Sequence, residues 1–446
     1  MILLKNIGHL IQDAETVRCG MDLLVHGSQI TAIDGGIPEK SADEVIDCQG
    51  RIVMPGLINL HTHLYQSVLK GWGDTLTLKP WCEEVTFPFS SIIHASERDG
   101  DYRMSYAYAI LGAMEMLHAG ITTFVDMDIL SDSVFQAWHD LGTRGVGAIQ
   151  AVNRWVPEPL MVPDDVRKER ILRTVDLWDR KDLLRVAIAP STPFACTKEF
   201  LLWLRDLAVE KNMPLFIHVS ETKWEVEDSL RSTGMTPLEY LESIQFLKAP
   251  VCAIHAIHFT EEEHRIAQSR GVSICYNPKS NGKLGSGIAP IVDYLRLGLK
   301  VAVSTDGAAS NDLLDLFEDM RVGLMLQKLR YEDPSVISAQ DVFRMATETP
   351  AEILGLNAGI LRSGKLADLV IIDPGQVHFG PLHDVVQQIV YCGKSCDVRD
   401  VMVNGRFLMK DTRILTVDEP ALVRQGFELA LEKQESLTGE ALVAEF

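Results

Sequence analysis

The sequence predicts an α/β protein, a (β/α)8 TIM barrel with a small β-sandwich formed by the N- and C-terminal flanks. Three observations lead there. Short β-prone runs recur eight times through the middle of the chain, separated by amphipathic segments. Several of these runs finish on histidine or aspartate, residues a packed strand has no reason to end on. Both flanks instead carry short alternating runs and turns.

The eight β-prone runs are 56–63, 121–126, 146–152, 184–190, 215–218, 251–255, 272–276 and 301–305. Between them, 101–118 reads as a helix stopped by Gly120, 164–180 and 197–210 as further helices, and 260–269 as a helix opened by a Thr260/Glu263 capping box. Alternating strands and helices over this length imply a parallel barrel, with an active site at the C-terminal ends of its strands. The histidines and the aspartate fall at those ends. Stretch 65–89 reads as a loop over the pocket, bringing Trp72, Trp81, Phe87 and Phe89.

In the flanks, 22–28, 367–373 and 401–408 alternate, and Asn404-Gly405 is the pair that closes a two-residue hairpin. Neither flank is large enough to bury a good core alone, so the two are expected to combine. This gives residues 1–54 as the first part of the sandwich, 55–357 as the barrel, and 358–446 as the second part with a C-terminal helix and tail.

The 446 residues are 46% hydrophobic and 23% charged, values of a globular protein with a sizeable core. A net charge of −20 repels nucleic acid and anionic membrane surfaces, so neither is an expected partner; a small molecule is. Eight scattered cysteines and an N-terminus without an export signal point to the cytoplasm and free thiols. The composition is compatible with a homo-oligomer.

Residues two positions apart in a strand face the same way, so His61 and His63 can share one metal ion. His-x-His alone is a weak signal. It gains weight from three more runs that close on His218 with Glu221, on His255, and on Asp306. His258 lies in the loop beyond His255, which makes His255 the better site candidate.

Taken together, Pro55-Gly56-Leu57-Ile58-Asn59-Leu60-His61-Thr62-His63, His218-x-x-Glu221, His255, Ser304-Thr305-Asp306-Gly307 and Gly364-Lys365-Leu366-Ala367-Asp368-Leu369-Val370 resemble the amidohydrolase superfamily over nearly the whole chain. The segment from Asn277-Pro278-Lys279-Ser280-Asn281 to Pro290, with Asp306-Gly307-Ala308-Ala309-Ser310-Asn311, is similar to the branch of methylthioadenosine/adenosylhomocysteine deaminases and triazine chlorohydrolases. The resemblance implies His61, His63, His218 and Asp306 as ligands of one divalent metal ion, with Zn2+ the best fit and Fe2+ or Mn2+ tolerated. The fourth run ends without a lysine to bridge a second ion. It also implies a hydrolytic deaminase of an amino-substituted N-heterocycle (an adenine nucleoside, purine, pterin or related ring) that attacks with metal-activated water and releases ammonia. Glu221 would protonate the ring, Asp306 would take the proton of the water and pass it to the leaving ammonia, and His255 would steady the attacking oxygen.

Gln66, Trp81, Arg154 and Asn281 are candidate substrate contacts on loops at the same end. Where nucleoside deaminases of this branch carry a glutamate for the ribose hydroxyls, this chain has Ser90, which argues against ribose recognition. A triazine chlorohydrolase or aminohydrolase of the same mechanism is the rival enzyme reading. A non-catalytic metal-binding scaffold is the rival of another class, and the full ligand set with Glu221 counts against it.

Overall fold

The structure, a computed structural model, describes residues 1–438. Its centre is one eight-stranded parallel sheet. The strands are β1 (Leu57–Thr62), β2 (Ile121–Asp128), β3 (Arg144–Ala151), β4 (Arg185–Pro190), β5 (Leu215–Val219), β6 (Val251–His255), β7 (Ser273–Tyr276) and β8 (Val301–Val303). Each neighbours the next in sequence order, and helices fill most of the connections, so the barrel is the one the periodicity predicts. Nearly every strand residue is buried, as expected where helices cover one face and the barrel interior the other. The interior is apolar: Leu60, Val125, Val146, Ala187, Phe216, Ile254, Cys275 and Ala302 form one cluster with a contribution from every strand.

Side chains, rather than a regular ladder, close β8 onto β1. The Leu60 N–H donates to Ser304 Oγ at 3.0 Å, Asn59 Nδ2 to Thr305 Oγ1 at 2.8 Å, and the Thr305 N–H to Asn59 Oδ1 at 3.1 Å. At the top of this seam the Asp306 N–H donates to the His61 carbonyl at 3.1 Å. Two candidate metal ligands are thus fixed to each other through the backbone.

Gly56 enters β1 against β2 with no room for a methyl group. A Cβ there would lie 2.1 Å from Thr122 Oγ1 and 2.7 Å from Thr122 Cβ, a branched side chain that cannot swing away. Gly56→Ala is therefore expected to cost about 1–3 kcal/mol through overpacking, read as a lower midpoint in denaturant with an unchanged m-value.

The flanks form two further sheets, of four and seven strands. The larger mixes both flanks, with Ile52–Pro55 pairing antiparallel to Leu369–Ile372. Leu4, Leu23, Val53, Leu369 and Met402 meet in a core of their own, so the two flanks do complete one sandwich. The expected hairpin is present between Val398–Val403 and Arg406–Lys410, with Asn404 and Gly405 both at positive φ as such a turn requires. A bidentate pair from Arg144 to Asp368, 3.1 and 3.3 Å and buried, ties the sandwich to the barrel.

Two expectations need correction or completion. Stretch 65–89 is not a loop: it holds helical turns at Leu64–Val68, Leu78–Trp81 and Cys82–Thr86, then enters the helix Phe87–Arg98. The C-terminal helix is Glu419–Thr438, and the expected tail lies outside the described residues. Among the described residues no helix is long and apolar enough to cross a membrane.

Candidate active site

The four expected ligands converge at the C-terminal end of the barrel. His61 Nε2 is 3.2 Å from Asp306 Oδ1 and 3.3 Å from His218 Nε2, and His63 Nε2 is 3.5 Å from the same Asp306 oxygen. All four are buried. The ring of His63 donates from Nδ1 to the Met127 carbonyl at 2.5 Å, and that of His218 from Nδ1 to the Ser191 carbonyl at 2.7 Å. Those bonds fix the tautomer, leaving each Nε2 lone pair facing its neighbours. Burial lowers the pKa of all three imidazoles, that of His63 to about 4, so they stay neutral as a metal requires.

Asp306 carries the negative charge. Burial alone would raise its pKa, but its hydrogen bond with His61 holds it well below the carboxylate range. Ser280 Oγ donates to its Oδ2 at 2.7 Å and the Gly307 N–H to its Oδ1 at 2.7 Å. Three neutral nitrogens and one carboxylate, oriented by outer hydrogen bonds, are a donor set suited to a divalent ion with a position left open.

Glu221 and His255 stand beside the cluster. Glu221 Oε2 is 3.4 Å from His255 Nε2, and its Oε1 accepts from Ser286 Oγ at 3.1 Å. Burial raises its pKa, with His255 opposing the shift and the nearby Asp306 charge adding to it. His255 Nδ1 meets Asn281 Oδ1 at 2.8 Å, and its Nε2 points toward Asp306 Oδ2 at 3.8 Å. Ser220, His255, Ala256 and Asp306 all take left-handed backbone at the strand ends, with φ of 53°, 69°, 47° and 64°. Such conformations cost of order 1–3 kcal/mol each and mark places where the fold holds a side chain in a set direction.

The cluster forms the floor of a cleft that opens at the C-terminal end of the barrel. Gln66, Trp81 and Ser90 line it as expected, with Phe87. Gln66 is held by its Oε1 accepting the Ala309 N–H at 3.2 Å, and it lies so close over Gly307 that a Cβ there would be 2.0 Å from that oxygen. Trp81 Nε1 is buried without a hydrogen-bond partner.

Two expected contacts are placed elsewhere. Arg154 is exposed and outside the cleft lining, because the Asn153 and Arg154 N–H groups both bond the Ala195 carbonyl and the left-handed Trp155 then turns the chain. Asn281 is buried beneath the floor, where it orients His255 rather than reaching the cleft. Of the loop aromatics, Phe89 is packed in the core and Trp72 lies against it.

Sequence reasoning missed the supports. Glu225, fully buried, accepts the N–H groups of Ser220 and Glu221 at 3.0 and 2.8 Å, fixing the backbone that carries Glu221. Ser280 and Ser286 lie within the 277–290 motif, so their position in it was the available signal; Glu225 had none.

The comparisons with known proteins agree with this geometry. Over 432 residues the chain is 35% identical to a 5'-deoxyadenosine deaminase of Methanothermobacter thermautotrophicus, covering 97% of this chain and 98% of that one. Among solved structures, an atrazine chlorohydrolase from Arthrobacter aurescens TC1 complexed with zinc superposes with a TM-score of 0.89 at 27% identity, covering 96% of this chain and 100% of that chain. An adenosine deaminase from Xanthomonas campestris with bound zinc gives the same TM-score and identity over 98% and 99%. The amidohydrolase family profile matches residues 52–408, a span that runs from the strand before β1 through the barrel into the closing hairpin of the sandwich. This chain belongs to the amidohydrolase family.

Proposed function

We propose that the protein is a metal-dependent hydrolytic deaminase of an amino-substituted N-heterocycle. The observation that carries this reading is Glu221: a buried carboxyl with a raised pKa, within 3.4 Å of His255, beside a four-residue ligand cluster. Deamination needs such a group, because the ring nitrogen must be protonated as the amino-bearing carbon is attacked. The names of the relatives, which include adenosine-type deaminases, support the substrate class.

His61, His63, His218 and Asp306 would hold one divalent ion, zinc by the chemistry of the set and by the zinc bound in the neighbouring structures. When bound, the ion supplies Lewis acidity that makes a water nucleophilic at neutral pH. Glu221 delivers a proton to the ring nitrogen, with Ser286 holding its other oxygen in place. Asp306 accepts the proton released as the water attacks and passes it to the departing ammonia. His255, oriented from behind by Asn281, steadies the attacking oxygen. Ammonia release from a panel of adenine nucleosides, free purines, pterins, cytosine and aminotriazines tests the reading; no release from any of them by zinc-loaded protein would sink it.

The triazine hydrolase reading keeps the same residues and changes only the leaving group, and the atrazine chlorohydrolase neighbour favours retaining it. Chloride release from a chlorotriazine, measured beside ammonia release, separates the two.

Ser90 lines the cleft and carries no charge to grip a diol. Loss of one charge-assisted hydrogen bond is worth roughly 1.5–3 kcal/mol, or about ten- to a hundredfold in kcat/KM. The ribose of an adenine nucleoside is therefore expected to add little over the free base, and Ser90→Glu to restore an advantage of that size. A strong native preference for methylthioadenosine or adenosylhomocysteine over free heterocycles would contradict this.

A further inference from the structure

The outer half of the cleft is built from aromatic rings. Phe87 meets Trp155 edge-on, with centroids 5.1 Å apart at 70°, and Trp155 meets Phe194 at 5.1 Å. Trp224 backs this wall, 6.1 Å from Trp155 and 5.2 Å from Phe194, with the Lys79 ammonium 5.5 Å over its outer face. Phe87, Trp155 and Phe194 all line the cleft. Trp155 is the shared member of three of these contacts, and its left-handed backbone, φ 49°, is held by two N–H bonds from 153 and 154 to Ala195. A bulky residue keeps such a conformation only where its surroundings fix it.

The charge pattern is as informative. Among the described residues that line the cleft there is no lysine or arginine, and its only carboxylates are Glu221 and Asp306 on the floor. A charged arm extending outward from the ring would lose its hydration without gaining a partner. An apolar arm would instead stack on or pack edge-to-face with the ring wall.

We propose that the outer cleft selects heterocycles bearing an uncharged, apolar substituent, and that Trp155 is the specificity-determining residue for it. This rests on reading the cleft as the substrate site of a heterocycle hydrolase. It goes further by fixing the chemistry of the part of the substrate that does not react. The competing destination for a substituent is the adjoining hollow, which shares Ile129, Gln150 and Leu160 with the cleft and is lined by Arg98, Arg167 and Arg170.

The test uses the zinc-loaded enzyme with adenine, 9-benzyladenine and 9-(4-carboxybenzyl)adenine, measuring Kd by calorimetry and kcat/KM by ammonia release. 9-Benzyladenine is expected to bind about tenfold or more tighter than adenine, the scale of a filled apolar subsite, and the carboxylate to forfeit that gain. Trp155→Ala should weaken 9-benzyladenine far more than adenine, removing most of the benzyl advantage, and Trp155→Phe should retain it. Tighter binding of the carboxybenzyl compound, an equal effect of Trp155→Ala on all three, or no binding by any of them overturns the proposal. The expected binding order without ammonia release would leave it standing and remove adenines from the rings the enzyme deaminates. Ammonia release without that order would do the reverse.

Discussion

Glu221→Gln is expected to keep the fold and the metal content while lowering kcat by on the order of a hundredfold or more, the usual loss when a general acid is removed. The amide keeps the shape of the carboxyl and can still accept from Ser286, and Glu225 continues to hold the backbone N–H of residue 221. Only the transferable proton is gone. The sign of the pH dependence follows from the raised pKa: the acid must be protonated to act, so turnover in the native enzyme should fall as pH climbs through that pKa. In the variant this alkaline limb should disappear along with most of the rate. Elemental analysis alongside the kinetics separates roles. Loss of metal from the variant would make Glu221 a ligand, and an unchanged kcat would leave the ring without an identified proton donor.

The barrel was legible because its signal is repeated. Each strand is a short, largely buried and mostly apolar run, and the eight runs read from the sequence match the eight strands to within a few residues at their ends. The candidate ligands were legible for the same reason. Polar residues at the ends of β1, β5, β6 and β8 stand out against apolar strands, and the fold brings those ends together. The flanks could be joined on physical grounds, since neither half has enough apolar surface to fold alone, and their shared core bears this out.

What the sequence did not reveal was structure without a period. Residues 64–98 pass through three short helical turns before Phe87–Arg98, and Gly71, Gly73 and Pro80 within them read as loop. Pro88 in the first turn of that last helix was a start signal, obscured by the aromatics around it. The direction of a loop side chain is likewise set by tertiary contacts. Arg154 follows its strand as a pocket residue would, yet two bonds to Ala195 turn its side chain out and Trp155 takes the cleft position. Asn281 belongs to a motif of the right family but lies one layer below the cleft, against His255. The supporting carboxylate Glu225 sits four residues beyond Glu221 on a helix, where a glutamate is ordinary and nothing in the sequence separates it from a solvated one.

Removal of the metal is expected to abolish turnover, and zinc to restore it at one ion per chain. The stoichiometry follows from the geometry. Among the described residues two groups could hold an ion, His61 with His63 and Asp306, and His61 with His218 and His255, but both need His61, and its Nε2 lies 3.2 Å from Asp306 Oδ1 and 3.3 Å from His218 Nε2. One nitrogen lone pair serves one ion, so the two groups describe a single centre. Affinity should be high because the imidazoles are already neutral and two of them are oriented by backbone carbonyls, so little proton release or reordering accompanies binding. An ion present at a hundredfold its dissociation constant stabilises the folded state by about 2.7 kcal/mol. At about 2.1 cal/mol/K of unfolding entropy per residue, a chain of 446 residues converts that into a Tm shift of roughly 3 °C. Chelator-treated protein should therefore melt lower by at least about that amount while keeping its secondary structure. Two tightly held ions by elemental analysis, or full activity after chelation, would overturn the single-centre assignment.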